Sequence, residues 1–161
     1  MSIVTASPEA FKSLPQRSFD ELHQLFRNGS SVEVADALGN TKGRFLAWNP
    51  ASRWCAKAWV RLLFRQWQGK RFQLTSQRTD SGQGVNLFKG GALRYSFRTY
   101  VCAARFDGKP CLRLDYSADG LMRGLKDDVR RIGKDLLLGQ IYYQFFWRRD
   151  PEFLLYFALR F

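Results

Sequence analysis

The chain offers few groups for acid–base or nucleophilic chemistry. Its single imidazole, His23, follows Leu22 in a segment with helical character. A Ser-His-Asp or Cys-His constellation would have to recruit that ring from outside any sheet, and a His-ligated haem would depend on it alone. Asp127, Asp128 and Asp135 stand among Lys126, Arg130, Arg131 and Lys134, a mixture that reads as solvated ion pairing. Asp115, Tyr116 and Arg98 are the trio that a small enzyme working on a buried ligand would use. No Cys/His set has zinc-ligand spacing. Gly82, Gly84, Gly90 and Gly91 read as turn residues rather than a phosphate cradle. The residues therefore name no catalytic group, no metal and no cofactor, and binding without catalysis is the favoured class.

The most distinctive spacing lies between residues 51 and 66. Arg53, Lys57, Arg61 and Arg65 recur every fourth residue, which on a helix draws one cationic ridge. Cys55, Trp59, Leu62 and Leu63 fall opposite, while Trp54 and Phe64 project among the cations. A basic amphipathic helix with interleaved aromatics suits an anionic membrane interface or an acidic protein. It equally suits a surface helix whose arginine stems lie over a core.

At 161 residues the chain fits one domain, expected over 18–161 behind a flexible arm at 1–17. Lys and Arg number 26 against 14 acids, a formal charge of +12, which favours anionic partners. The cations are spread along the chain without a basic tail, which argues against nucleic acid. Fourteen Phe, six Tyr and five Trp exceed what a small solid core uses, so a ligand cavity or an interaction surface is expected. The first ten residues lack a basic leader and apolar core, and the three Cys are unpaired in spacing. Both features point to a cytoplasmic protein, with peripheral membrane attachment as a further option.

Positioning falls to short strands. Ser18-Phe19-Asp20-Glu21 is a capping box opening a helix that Gly29 can end in a left-handed conformation. A second short helix is expected near 32–38. Strands are expected at 41–48, 69–74 and 85–88, with a polar loop at 75–84. A long alternating strand follows at 93–103. Asp107-Gly108 predicts a two-residue hairpin turn; it would pair Ala103 with Leu112 and Val101 with Leu114, and leave Cys102 and Cys111 diagonal. Residues 119–133 read as partly helical. Residues 136–146 and 153–161 form a strand pair apolar on both faces, which belongs in a barrel wall or under a helix. The sum is mainly β: an antiparallel barrel or strongly curved sheet of seven or eight strands, with an N-terminal helical cap and one basic helix.

Several motifs resemble those of the GXWXG-type proteins of uncharacterised function. Gly39-Asn40-Thr41-Lys42-Gly43 is similar to that family's opening motif, with Thr41 where the defining Trp stands. Trp67-Gln68-Gly69-Lys70-Arg71-Phe72 resembles its Trp-x-Gly-Lys-Arg-Phe segment. Asp115-Tyr116, Asp128 to Arg131, Leu138-Gly139 and the C-terminal strand pair extend the likeness over roughly residues 38–160. The resemblance implies a lipocalin-like, calycin-like barrel holding a small apolar or amphipathic ligand, and no established activity. Together with the aromatic surplus, it places Trp67, Lys70, Arg71, Phe72, Phe97, Arg98, Asp115 and Tyr116 at the expected ligand site.

Overall fold

The structure is a computed structural model and describes residues 8–75 and 80–161. Nine strands form one antiparallel sheet: β1 (Gly39–Asn40), β2 (Lys42–Trp48), β3 (Trp67–Leu74), β4 (Ser81–Phe88), β5 (Leu93–Ala103), β6 (Pro110–Asp115), β7 (Leu125–Gly133), β8 (Leu136–Tyr143) and β9 (Glu152–Arg160). Their order is β1-β3-β4-β5-β6-β7-β8-β9-β2. β1 and β2 are one stretch of chain broken at Thr41, so pairing of β1 with β3 and of β2 with β9 nearly closes a barrel. Thr41 holds the seam, its N–H and hydroxyl both donating to the Lys70 carbonyl. Closure removes the free edges that a nine-stranded sheet would otherwise expose. The mainly β barrel expected from the strand pattern is the fold observed.

Two cores result. Inside the barrel lie Phe72, Phe97, Leu112, Leu114, Tyr116, Leu125, Val129, Leu137, Ile141, Leu155, Phe157 and Leu159. Outside the wall, Leu136, Leu138, Tyr156 and Ala158 pack against Phe11 and Leu14 of the N-terminal segment and Leu22 and Phe26 of the next helix. Strands β8 and β9 are therefore buried on both faces, which is what their unbroken apolar runs require.

The helices are α1 (Pro8–Ser13), α2 (Phe19–Asn28) and α3 (Trp54–Leu63). The expected arm at 1–17 is helical and packed from residue 8, because Phe11 and Leu14 have an apolar wall to cover; residues 1–7 lie outside the described residues. The capping box at α2 forms, with Glu21 N–H donating to Ser18 Oγ at 3.2 Å and Ser18 N–H to Glu21 at 2.8 Å. Gly29 is extended rather than left-handed. A Cβ there would sit 3.0 Å from Arg130 Cβ and 3.1 Å from the Arg131 carbonyl, so glycine serves close approach to β7. The second short helix is a single 3-10 turn at Val34–Ala37.

Three further expectations change. Residues 125–133 form β7 rather than a helix, and β4 begins at Ser81, inside the expected polar loop, of which 76–79 lie outside the described residues. The hairpin register slips by two. Ala103 pairs with Pro110, Val101 with Leu112 and Thr99 with Leu114. The turn is longer than two residues because the Asp107 carboxylate is drawn to Arg130 and to the Lys109 N–H. A slip of two preserves each side chain's face, so the apolar set of β6 still points inward. Cys102 and Cys111 become direct cross-strand partners, both as free thiols.

Candidate functional site

Five of the eight expected ligand-site residues converge inside the barrel: Trp67, Lys70, Phe72, Phe97 and Tyr116. Alternation along β3 sends Lys70 and Phe72 inward, and β5 and β6 bring Phe97 and Tyr116 opposite. The space expected between these rings is occupied by the Lys70 side chain itself. Its ammonium lies 5.1–5.5 Å from the ring centroids of Trp67, Phe97, Tyr116 and Phe157, within cation–π range. The ammonium donates to Asn86 Oδ1 at 2.9 Å and to the Tyr116 hydroxyl at 2.5 Å, and lies 3.1 Å from Asp127 Oδ2. Asn86 is shared: Trp67 Nε1–H donates to its oxygen, while its amide donates to the Tyr95 carbonyl and to Tyr116.

The cluster is buried, with Tyr116, Asn86 and Asp127 wholly withdrawn from the surface. Burial drives the Lys70 amine below its ordinary pKa and the Asp127 carboxyl above its own, outweighing their mutual attraction. The Tyr116 hydroxyl is pushed well up for the same reason. Among the described residues Asp127 Oδ1 has no hydrogen-bond partner.

The other three expected residues face outward. Arg71 donates to Asn40 at 2.8 Å and borders, with Gln73, Gln83, Ser96 and Phe97, a cleft of about 290 Å³. Arg98 is exposed. Asp115 lies opposite Arg98 in the ladder and is half-buried, accepting from Tyr100 at 3.0 Å and pairing with Lys126 at 3.6 Å. Burial and that carboxylate push the Tyr100 hydroxyl up to about 12. The Asp115, Tyr116 and Arg98 trio is thus split between the two faces of the wall.

Asp127 and Asp128 are not solvated. Both are fully buried, on opposite faces of β7. Asp128 accepts two bonds from Arg113, at 2.7 and 3.0 Å. His23 lies in the outer core, 2.7 Å from the Tyr156 hydroxyl and edge-on to Phe106; burial lowers its pKa. Among the described residues no cluster of His, Cys, Asp or Glu could hold a metal.

The basic helix is shorter than its charge pattern. α3 ends at Leu63 because Gln66 turns left-handed, φ 70°, to start β3. Arg53 becomes the N-cap and Arg65 lies beyond the helix, so only Lys57 and Arg61 of the ridge are helical. Phe64 does not project among the cations: it is buried, against Phe45, Phe88 and Tyr95. Ala56 and Val60 face the core, with Trp59 half-buried beside them. Arg61 lies over the Trp48 ring at 5.1 Å.

Beside α3 is a feature not expected from the sequence. Cys55, Ala56 and Trp59 form one side of a cleft of about 310 Å³; Tyr143, Phe145, Phe146 and Trp147 form the other. Glu152 ties the two sides together, accepting the Arg53 backbone N–H at 2.8 Å and Arg148 at 3.1 Å. The run Phe145-Phe146-Trp147-Arg148-Arg149 carries the signal, as aromatics and cations placed together where a turn is expected. Asn86 is equally unexpected, having nothing local to mark it. Asp127 was missed because 119–133 reads as partly helical; the alternation of Leu125, Asp127 and Val129, all buried on one face of β7, is the signal that could have found it.

No family model matches the chain, and no curated protein matches it. A solved structure of a protein from Thermomonospora curvata is similar in fold, with TM-score 0.55 and 19% identity over 89% of this chain and 87% of that one. At that identity the likeness supports the barrel architecture and nothing of the chemistry.

Proposed function

We propose that this barrel binds a hydrophobic or amphipathic small molecule without transforming it, and that the ligand sits in the cleft between α3 and the 144–150 loop. The cleft itself carries this reading: about 310 Å³ of open space lined by Ala56, Trp59, Tyr143, Phe145, Phe146 and Trp147, at the small end of the range for small-molecule pockets. Its lining is aromatic, and its one nucleophile is the Cys55 thiol. The resemblance of the Trp67 to Phe72 segment to GXWXG-type proteins supports ligand binding in general. That resemblance points to the barrel interior, but there the Lys70 cluster fills the space between the rings.

Cys55 is exposed, Cys102 partly exposed and Cys111 buried, so N-ethylmaleimide is applied to the Cys102→Ser background, where Cys55 in the cleft is the accessible thiol. An uncharged apolar fluorescent probe such as N-phenyl-1-naphthylamine should bind the untreated protein and quench Trp emission. Binding should be lost on alkylation, and the Cys55→Ser variant should bind whether treated or not. Probe binding that survives alkylation of Cys55 overturns the cleft as the site.

A further inference from the structure

Trp54, Ala58 and Leu62 recur every fourth residue and form an outward stripe along α3. Trp54 is 81% exposed and Leu62 71%. Across the cleft from α3, the 144–150 loop raises Phe146 and Trp147, 94% and 56% exposed, and the two segments are joined through Glu152. Large apolar side chains gathered this way on a surface mark an interaction site. Cations border the patch on both segments: Arg53, Lys57, Arg61 and Arg65 along and beside α3, Arg148 and Arg149 behind the loop. Glu152 is only 8% exposed and committed to Arg53 and Arg148, and Asp150 ends the loop exposed, so six cations against two acids leave the rim positive.

We infer that this composite face docks on an anionic phospholipid bilayer. Trp54, Leu62, Phe146 and Trp147 enter the boundary between headgroups and acyl chains, and the bordering cations engage lipid phosphates. Tryptophan and phenylalanine are favoured at that depth, and the formal charge of +12 adds long-range attraction to an acidic surface. A single-stranded nucleic acid would also accept aromatics and arginines, but by stacking, and Leu62 has no stacking face. Among the described residues no helix is long and apolar enough to cross a membrane, so the contact proposed is peripheral.

Vesicle sedimentation with the full chain tests this. The protein should pellet with phosphatidylcholine vesicles containing phosphatidylglycerol, pellet little with pure phosphatidylcholine, and detach in high salt. The double variant Trp54→Ser, Leu62→Ser keeps the charge and lies outside the cleft lining, so its failure is distinct from failure of the ligand site. It should weaken binding about tenfold or more. Changing Lys57, Arg61 and Arg65 to Gln should weaken it by a similar or larger factor, since each cation near an acidic surface is worth about fivefold. Brominated lipids should quench wild-type Trp emission more than that of Trp54→Phe. Unchanged melting temperatures show that both multiple variants are folded. A wild type that stays in the supernatant, or that is retained by single-stranded RNA while ignoring the vesicles, overturns the proposal. So does a Trp54→Ser, Leu62→Ser variant that pellets like wild type.

Discussion

Lys70 and Asp127 meet inside the barrel with 3.1 Å between Nζ and Oδ2, the one 3% exposed and the other 0%. Two opposite charges in a dry interior gain strong attraction but lose their hydration, and the loss can exceed the gain. Here burial moves both groups toward their neutral forms. The pair is held by its neighbours: Asn86, the Tyr116 hydroxyl and four aromatic rings leave the ammonium few alternatives.

Breaking the pair from one side should therefore cost far more than removing it. Lys70→Met leaves a buried carboxyl without its cation, and about 3–5 kcal/mol of stability should be lost. Asp127→Leu strands the ammonium at a similar cost. The double variant should recover much of that loss, because a methionine facing a leucine has no hydration to give up. Urea unfolding of the four proteins gives the coupling energy. Additive losses would mean that the two groups act independently.

The seam of the barrel makes a separate prediction at Gly69. Its φ is +151°, and a Cβ built there would lie 2.0 Å from the Thr41 carbonyl oxygen. Thr41 is the point where β1 gives way to β2, so any outward shift loosens closure. Gly69→Ala should destabilise by about 2 kcal/mol or more. Amide exchange should accelerate first at Thr41, whose N–H donates to the Lys70 carbonyl, and at Lys70, whose N–H donates to Thr41 Oγ1. A variant with wild-type exchange at both amides would separate the glycine from closure.

Acid stability should depend on Asp107. Its carboxylate takes both terminal nitrogens of the fully buried Arg130, at 2.6 and 2.8 Å, and the Lys109 N–H. These bonds hold its pKa below the usual carboxylate value. The folded state thus binds the proton less readily than the unfolded chain. The resulting stability is fully present above about pH 4 and is lost as pH falls through the lowered folded value. Thermal melts from pH 7 down to pH 2 should show a steep acid limb in wild type. Asp107→Asn should be less stable at pH 7 and flatter at low pH. Parallel limbs would place the acid lability elsewhere.

The barrel was legible because strand alternation is local. Leu112, Leu114 and Tyr116 share a face in sequence and are all buried in space. The apolar runs of β8 and β9 announced burial on both sides. What escaped depended on distant partners. Asp127 looked like a solvated acid because its neighbours in sequence are cations, yet its partner in space is Lys70 on β3. Phe64 looked exposed because the neighbouring cations suggest an outer face, yet Ala56, Val60 and Phe64 recur every fourth residue and all three are buried. The aromatics of the expected site were correctly gathered, but nothing in their spacing showed that a lysine side chain would lie between them. The cleft beside α3 needed two segments from opposite halves of the chain, and only one had been singled out.

The hairpin register offers the sharpest contrast between pattern and structure. Alternation alone put Val101 and Leu114 opposite each other on one buried face. The structure pairs Thr99 with Leu114 and moves Val101 toward the hairpin end, where it is 38% exposed while Leu114 is 0% exposed. Leu114→Asp would place a second carboxyl in the core, directly across the ladder from the buried Asp127, and about 3 kcal/mol or more should be lost. Val101→Asp can turn its carboxylate to water and should change stability by about 1 kcal/mol or less. Denaturant midpoints of the two variants decide between the registers. Comparable, large losses in both would restore the two-residue turn at Asp107-Gly108; a large loss at Leu114 alone confirms the longer turn that Arg130 holds through Asp107.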